Sequence, residues 1–364
     1  MFPTKKERKY RIEVNYARGK TRYYLVKDVK YKNRRTKSRI YVGQVPPTAE
    51  EKLQLGIKYA YDLETMAADK RAELSSTFYI SNYLSREGIK DVERIRHYYR
   101  TFIGLLTVSE VGFYEEAFEI NYIHGTTNIE GNTLSSNQAF DLLVNNIAPN
   151  GKTLREINEV QNFKKVIAYR ERHKGKVTLE FIKTIHALIM DNIDMESAGI
   201  FRRTDFIKIG GCDLSVTPAI LIKQELQDLI TEYYKQLDKG VHPFEAAVMF
   251  HYNFEIIHPF SDGNGRVGRE IFNYMLKKCG YPRLLFLGAD RETYIRSLKL
   301  GNEEKYAEMI KVFVDLIMKQ QFYPIVESLK DVVKPIRKEQ PTLDMYFKEF
   351  GGKSLEAPTE HKTT

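Results

Sequence analysis

The 364-residue chain has no tryptophan and two cysteines, Cys212 and Cys279. They lie far apart with no Cys-x-x-Cys spacing, so neither a disulfide framework nor a cysteine-rich zinc site can be built from them, and a reducing cytoplasm is the expected setting. No window approaches 18 consecutive apolar residues, and the opening MFPTKKERKYRIEV lacks an apolar stretch and a small-residue cleavage site. A membrane-spanning helix and a secretory signal are therefore not expected, and no membrane partner is implied. Internal repeats and low-complexity tracts are missing as well. Two Gly-Lys-Thr triplets, at Gly19-Lys20-Thr21 and Gly151-Lys152-Thr153, lack the earlier glycine of a P-loop, because Val14 and Asn146 stand in its place. Glu255-x-x-His258, with His251 one turn ahead, has the spacing of half a di-iron bundle site, but no second such pair occurs.

The composition is that of a globular chain, with 42% apolar residues and a net charge of +9. The charge is concentrated at one end. Residues 1–47 hold 15 Lys/Arg against 3 Asp/Glu, which leaves the remainder slightly acidic. Within this segment two β-rich runs, Tyr23 to Tyr31 and Arg39 to Val42, flank a polar basic turn and predict a β-hairpin. Two readings stay open for it: a solvated basic face, or a nucleic-acid contact in which Lys/Arg meet phosphates and tyrosines stack on bases.

Val45-Pro46-Pro47-Thr48 ends that pattern, and Thr48-Ala49-Glu50-Glu51 fits a capped helix start. Helical spacing then predicts helices over 50–70, 76–84, 89–121, 135–147, 153–172, 178–191, 221–237, 243–257, 265–279, 290–300 and 303–329. The fold class expected is mainly α: a basic β-hairpin module over 1–47, a helical extension over 48–100, a helical domain over 101–330, and a charged helix end and loose tail over 331–364. Alternation around Gly210-Gly211 predicts one short exposed hairpin inside the helical body.

The chemistry concentrates in His258-Pro259-Phe260-Ser261-Asp262-Gly263-Asn264-Gly265-Arg266-Val267-Gly268-Arg269. Pro259 disfavours helix in the residue before it, so an apolar helix stops at His258. Gly263 and Gly265 let the backbone turn sharply and bring bare N–H groups near a ligand, and the next helix adds its positive N-terminal end, which together cradle an anion. Arg266 and Arg269, three apart, set two guanidiniums on one helix face. Asp262 is a carboxylate that would repel phosphates unless Mg²⁺ lay between them. His258 is the group of this set able to take a proton near neutrality. Nucleotide phosphoryl chemistry is what such a set can perform.

These twelve residues resemble, at all eight constrained positions, the His-x-Phe-x-(Asp/Glu)-Gly-Asn-Gly-Arg-x-x-Arg motif of the Fic family, and the resemblance covers roughly residues 100 to 330. It implies a helical core with a β-hairpin flap that transfers AMP from ATP to a hydroxyl side chain of a target protein. By that resemblance His258 would be the general base and Asp262 would hold Mg²⁺. Gly263, Asn264 and Gly265 would bind phosphate, Arg266 and Arg269 would take the β- and γ-phosphates, and Phe260 would anchor the loop in the core. The hairpin at Ile207, Lys208, Ile209 and Gly210 resembles the family's flap, whose edge would hold the target segment by strand addition. Thr126-Thr127-Asn128-Ile129-Glu130-Gly131 resembles the family's inhibitory motif, with a short helix near 124–132 that sets Thr126 and Glu130 one turn apart and ends at Gly131. Glu130 would then pair with Arg269 and obstruct the γ-phosphate.

Tyr294, in the helix predicted after the motif over 290–300, and Asn302, just beyond it, are candidates for contact with adenine. Self-association of the family leaves a homo-oligomer as an open expectation. Removal of AMP, another nucleotide or phosphate transfer, and an ATP-sensing regulator that binds nucleic acid are the alternative functions; the target protein is not written in the sequence.

Overall fold

A computed structural model of the protein describes residues 10–206 and 216–333. The chain opens with an antiparallel sheet in the order β1 (Arg11–Ala17), β2 (Lys20–Tyr31), β3 (Arg34–Gly43). The expected hairpin is thus a three-stranded meander. The added strand, β1, is joined to β2 by Arg18 and Gly19, both with positive φ (54° and 71°), as a two-residue hairpin turn requires.

Helices follow as α1 (Ala49–Lys58), α2 (Ala60–Ser76), α3 (Arg86–Leu105), α4 (Val108–Ile129), α5 (Ser136–Phe140), α6 (Leu154–Arg172), α7 (Leu179–Ile189), α8 (Ile222–Asp238), α9 (Pro243–Ile257), α10 (Asn264–Cys279), α11 (Arg291–Asn302), α12 (Tyr306–Ile317) and α13 (Tyr323–Val332). Short π-turns follow α5 and α12. Of residues 76–84, expected to form a helix, Ser76 ends α2 and 77–84 run as a loop whose Ile80 bridges to Val241. Their apolar spacing serves that loop's own packing.

The helix expected over 89–121 divides at Leu106-Thr107, where Thr107 accepts from the backbone of Glu110 and the Glu110 side chain caps Thr107 in return. That reciprocal box satisfies two N–H groups and starts a new helix. The same Ser/Thr-x-x-Glu/Gln device begins α1, α5 and α6. The short helix expected near 124–132 is the last turn of α4, a helix of 22 residues.

The inner face of the sheet rests on α2. Leu25 and Val29 are buried, buried Glu64 accepts from the Tyr10 hydroxyl at 3.0 Å and pairs with Lys27, and Lys70 donates to the Lys37 carbonyl. The centre of the helical body is α10, on which Asn264 and every residue from Arg266 to Leu276 is buried. It packs against α9, α7 and α4.

The approach of α4 to the 285–286 segment is tight enough to need glycine. A Cβ on Gly125 would stand 2.7 Å from the Phe286 carbonyl oxygen and 2.9 Å from that of Leu285, and backbone atoms cannot swing aside. Phe286 itself adopts φ 55°, a costly setting for a bulky residue. Gly125→Ala is therefore expected to destabilise by about 1–3 kcal/mol, as overpacking does, despite a helix-propensity gain of about 1 kcal/mol. Urea unfolding of both proteins measures the difference, and equal midpoints would count against the close approach.

Candidate functional site

Helix α9 ends at His258, whose left-handed backbone (φ 47°, ψ 61°) turns the chain into the loop 259–263. Phe260 is fully buried and stacks face to face on His186, with ring centroids 3.6 Å apart. His186 accepts from the Gly199 N–H through Nδ1 at 2.8 Å, so its proton sits on Nε2, which donates to the Asp262 carbonyl at 3.0 Å. Burial pushes His186 down to about 4, which keeps it neutral in this role.

The Asn264 side chain closes the loop: its Oδ1 accepts from the Phe260 N–H and its Nδ2 donates to the Phe260 carbonyl, both at 2.8 Å. Asn264 can therefore offer an anion its backbone N–H rather than its amide. Gly263 holds φ 79° at the N-cap of α10, and no side chain caps that helix end. The first N–H groups of α10 are left facing the loop, where an anion gains from them and from the helix dipole.

His258 is half-buried, and its Nδ1 lies 3.3 Å from the Glu255 carbonyl. A carbonyl can only accept, so Nδ1 carries the proton and Nε2 presents a lone pair. Burial, with the cation of Arg202 nearby, pushes its pKa down and favours this neutral form. The Arg202 Nε donates to the His258 carbonyl at 2.8 Å, and the same guanidinium reaches Thr204, Asp205 and Thr217. One buried arginine thus ties the His258 backbone to both stems of the segment expected to form the flap. Ile207, Lys208, Ile209 and Gly210 themselves lie outside the described residues.

Asp262 stands at the mouth, with its side chain 42% exposed. It accepts from Arg266 at 3.1 Å and is paired with Arg155 on α6. Burial raises its carboxyl, but Arg266 and Arg155 hold it below the usual range. Buried Arg266 also faces Glu159 at 3.2 Å. Neither Arg155 nor Arg202 was singled out by sequence reasoning; each lies outside the motif and is recognisable only by what it touches.

Arg269 is 1% exposed. Its Nε donates to the Thr126 hydroxyl at 2.8 Å, and its Nη2 donates to the Thr126 carbonyl at 2.9 Å and to Glu130 Oε1 at 2.7 Å. Thr126 and Glu130 belong to the last turn of α4, which Gly131 closes with φ 100°. Arg291 donates to the Ile129 carbonyl at 3.0 Å, and Asn132 ties the turn to α6 through the Glu156 carbonyl and Glu159. Burial raises the Glu130 carboxyl, but Arg269 and Arg266 outweigh it and hold the group ionised below its ordinary pKa. Its side chain, 36% exposed, hangs over the start of α10, and a Cβ on Gly265 would stand 2.4 Å from Oε1. Glu130 therefore occupies the space above the N-terminal turn of α10, where an anion would sit.

The two adenine candidates fall elsewhere. Tyr294 is buried with its ring beneath Arg269, 5.8 Å from the guanidinium, and its hydroxyl is hydrogen-bonded to His251 at 2.9 Å. Enclosed in this way, the ring supports Arg269 and is closed to a base. Asn302 is exposed and accepts from the Tyr252 hydroxyl at 3.2 Å.

Comparison with known proteins bears on this geometry. Residues 176–276 match the model of the Fic/DOC family. The protein adenylyltransferase Fic of Drosophila willistoni is 28% identical over 204 residues, which is 55% of this chain and 40% of that protein. The protein of the same name from Aedes aegypti is 31% identical over 209 residues, 55% of this chain and 40% of that protein. This chain thus spans about two fifths of the length of these curated relatives. Among solved structures, a Fic-domain-containing signalling protein of Bacteroides thetaiotaomicron aligns with a TM-score of 0.58 at 21% identity, covering 67% of this chain and 97% of the other. Fic-1 of C. elegans aligns at 0.56 and 21%, covering 78% and 83%. At these identities the likeness is one of fold, a Fic helical core.

One buried group of the site, noted in the sequence only for its spacing from His258, has an unusual setting. Glu255, buried beside Arg269, has one oxygen, Oε1, that is shut off from solvent, has no hydrogen-bond partner and lies 3.9 Å from His251 Nδ1. Burial, only partly offset by Arg269, raises its carboxyl to about 7. A folded-state pKa above the unfolded value means the native state takes up the proton. The stabilisation is complete below the ordinary carboxyl value and is lost as pH rises through about 7. Glu255→Gln, neutral throughout, is expected to match the parent near pH 5 and to exceed it by about 3 kcal/mol near pH 8, at 1.4 kcal/mol per unit. Urea unfolding of both proteins across this range gives the comparison; parallel profiles would refute a raised Glu255.

Proposed function

We propose that this chain, whose residues 176–276 match the model of the Fic/DOC family, transfers AMP from ATP to a Tyr, Ser or Thr hydroxyl of a target protein or of itself, and that Glu130 restrains the reaction. The observation that carries this reading is the 2.7 Å ion pair between Arg269 and Glu130, set over an uncapped helix N-terminus two residues from a loop carboxylate. The cytoplasm, which supplies ATP, is the setting proposed for it.

In the restrained form Glu130 neutralises Arg269 and fills the place of the γ-phosphate. When Glu130 leaves, the triphosphate takes over Arg269 and Arg266, and the N–H groups at the start of α10 receive its oxygens. The target hydroxyl, held beside His258, gives its proton to Nε2 as its oxygen attacks the α-phosphorus. The bond to the β-phosphate oxygen breaks in line, and pyrophosphate leaves. Mg²⁺ is commonly held by one or two carboxylates together with substrate phosphates, and the single, partly exposed carboxylate of Asp262 fits that pattern. Asp262 would hold the ion, released from Arg155, and the ion would supply charge neutralisation of the phosphates.

A second reading is supported by the exposure of Glu130 in the mouth. A carboxylate there suits the orientation of a water, so the same chain would remove AMP from a modified target.

The test is incubation of the parent, Glu130→Gly and Glu130→Gly/His258→Ala proteins with Mg²⁺ and ATP labelled at the α-phosphorus, followed by intact mass. Glu130→Gly is expected to gain one AMP at least about tenfold faster than the parent, and the double variant to lose roughly 10²- to 10⁴-fold of that rate, the range for a general base. Label from γ-labelled ATP, or equal labelling of parent and Glu130→Gly, would overturn the reading. Label that the parent strips from pre-modified Glu130→Gly protein would favour AMP removal.

A further inference from the structure

The cations of the N-terminal sheet take no part in the nucleotide site, and the register sorts most of them onto one face, with Lys27 and Arg34 on the other. Residues directly paired across antiparallel strands share a face. Ile12, Leu25 and Ile40 form one such row, and Lys27 with Ser38 another, on the side that rests on α2. The outward rows pair Ala17 with Lys20, Asn15 with Arg22, Arg11 with Val26 and Arg39, Asp28 with Lys37, and Lys30 with Arg35.

Six exposed cations stand there: Arg11, Lys20, Arg22, Lys30, Arg35 and Arg39. The acids among them, Glu13 and Asp28, are already engaged by Arg11 and Lys37. Lys20, Arg22, Lys30 and Arg35 have no ion-pair partner among the described residues. Nothing in folding calls for this one-sided charge, because like charges on adjacent strands repel.

We propose that this face docks on duplex DNA. The charge matches a phosphate backbone, and the shape selects the duplex. The 12 residues of β2 run roughly 40 Å, and past the Arg11 row β2 pairs with β3 alone, a two-stranded ribbon that carries Lys30 and Arg35 and has the width that a major groove about 12 Å wide admits. A-form RNA has a deep, narrow major groove that would not admit the sheet. Single strands call for a succession of open aromatic platforms, whereas the outward face offers one exposed ring, Tyr41, set edge-on at 5.7 Å to Tyr24, which is half-buried and covered by Arg39. An anionic membrane calls for exposed apolar side chains beside the charge, and the outward aliphatic residue Val26 is fully buried.

The test uses the full chain and fluorescence anisotropy with a short duplex DNA across a salt series, and duplex RNA, single-stranded DNA and phosphatidylserine vesicles as competitors. The parent is expected to bind the duplex with an affinity that falls steeply with salt. Arg22→Ala/Lys30→Ala/Arg35→Ala is expected to weaken binding at least about tenfold and to lower the slope of log affinity against log salt by about 0.9 for each phosphate no longer neutralised. Arg34→Ala, on the inward row, is expected to leave affinity and slope unchanged, and circular dichroism checks that each variant is folded. Absence of duplex binding at low salt, an unchanged affinity in the triple variant, or stronger competition by RNA, single strand or vesicles would overturn the proposal.

Discussion

A guanidinium removed from water must keep company with negative charge, and the site is arranged around that constraint at Arg269. Nearly complete burial leaves it no solvent, so Thr126 supplies two oxygens, Glu130 the counter-charge, and Tyr294 and Phe286 the ring faces. Breaking a buried pair by removing one partner typically costs about 3–5 kcal/mol, because the remaining charge is left uncompensated. Glu130 is therefore not simply released; it is exchanged for another anion. On the function proposed above that anion is a phosphate of the nucleotide, and restraint and substrate binding would then be competing solutions to one electrostatic problem. The raised Glu255 close by cannot be the substitute near neutrality without itself giving up a proton.

Such competition requires very close approach, and glycine makes it possible at each point of crowding. Gly265 lets Glu130 lie directly over the first turn of α10, Gly268 admits Glu255 and Phe254 to the side of that helix, and Gly288 receives the side chain of Asn128. These positions are crowded by neighbours, not required by unusual φ, whereas Gly263 and Gly131 answer a backbone demand. Glycine in this motif therefore serves two physical purposes: some residues bend the loop, and others let two helices bring their charges together.

The sequence conveyed the local and left out the distant. The loop from His258 to Arg269 was legible because its parts are neighbours in the chain. Pro259 stops α9, and the glycines turn the backbone. The limits of α9 and α10 came out close to the expected ones for the same reason. Glu130 opposite Arg269 was reachable only through a family resemblance, since 139 residues separate them. Arg155, Arg202 and His186 carry no local signature; each matters through a partner brought in by the tertiary fold. Tyr294, a candidate for adenine, is buried against Arg269 and His251, and helical spacing reports a buried face without saying what is buried against it. The splits at Tyr59 and Thr107 were readable in principle, the latter from its capping box, but apolar periodicity runs across such a break unaltered.

The sheet and the site belong to one packed body, and this bears on what a partner at the sheet can do. Glu64 on α2 engages Lys27 and Tyr10, while Ser75 at the end of the same helix bonds to His97 on α3. On α3, buried Glu93 accepts from Tyr281 and lies 3.3 Å from His242, the residue at which α9 begins. Helix α9 then runs to His258. The links are short, buried and polar, with ring contacts between Tyr31 and His97 and between Tyr79 and His242 alongside them. A chain of links of this kind has little compliance, since close-packed interiors transmit displacement and do not absorb it. The sheet is thereby held in a fixed position and orientation relative to His258, so a partner docked on the sheet would be presented to the proposed site at a set distance.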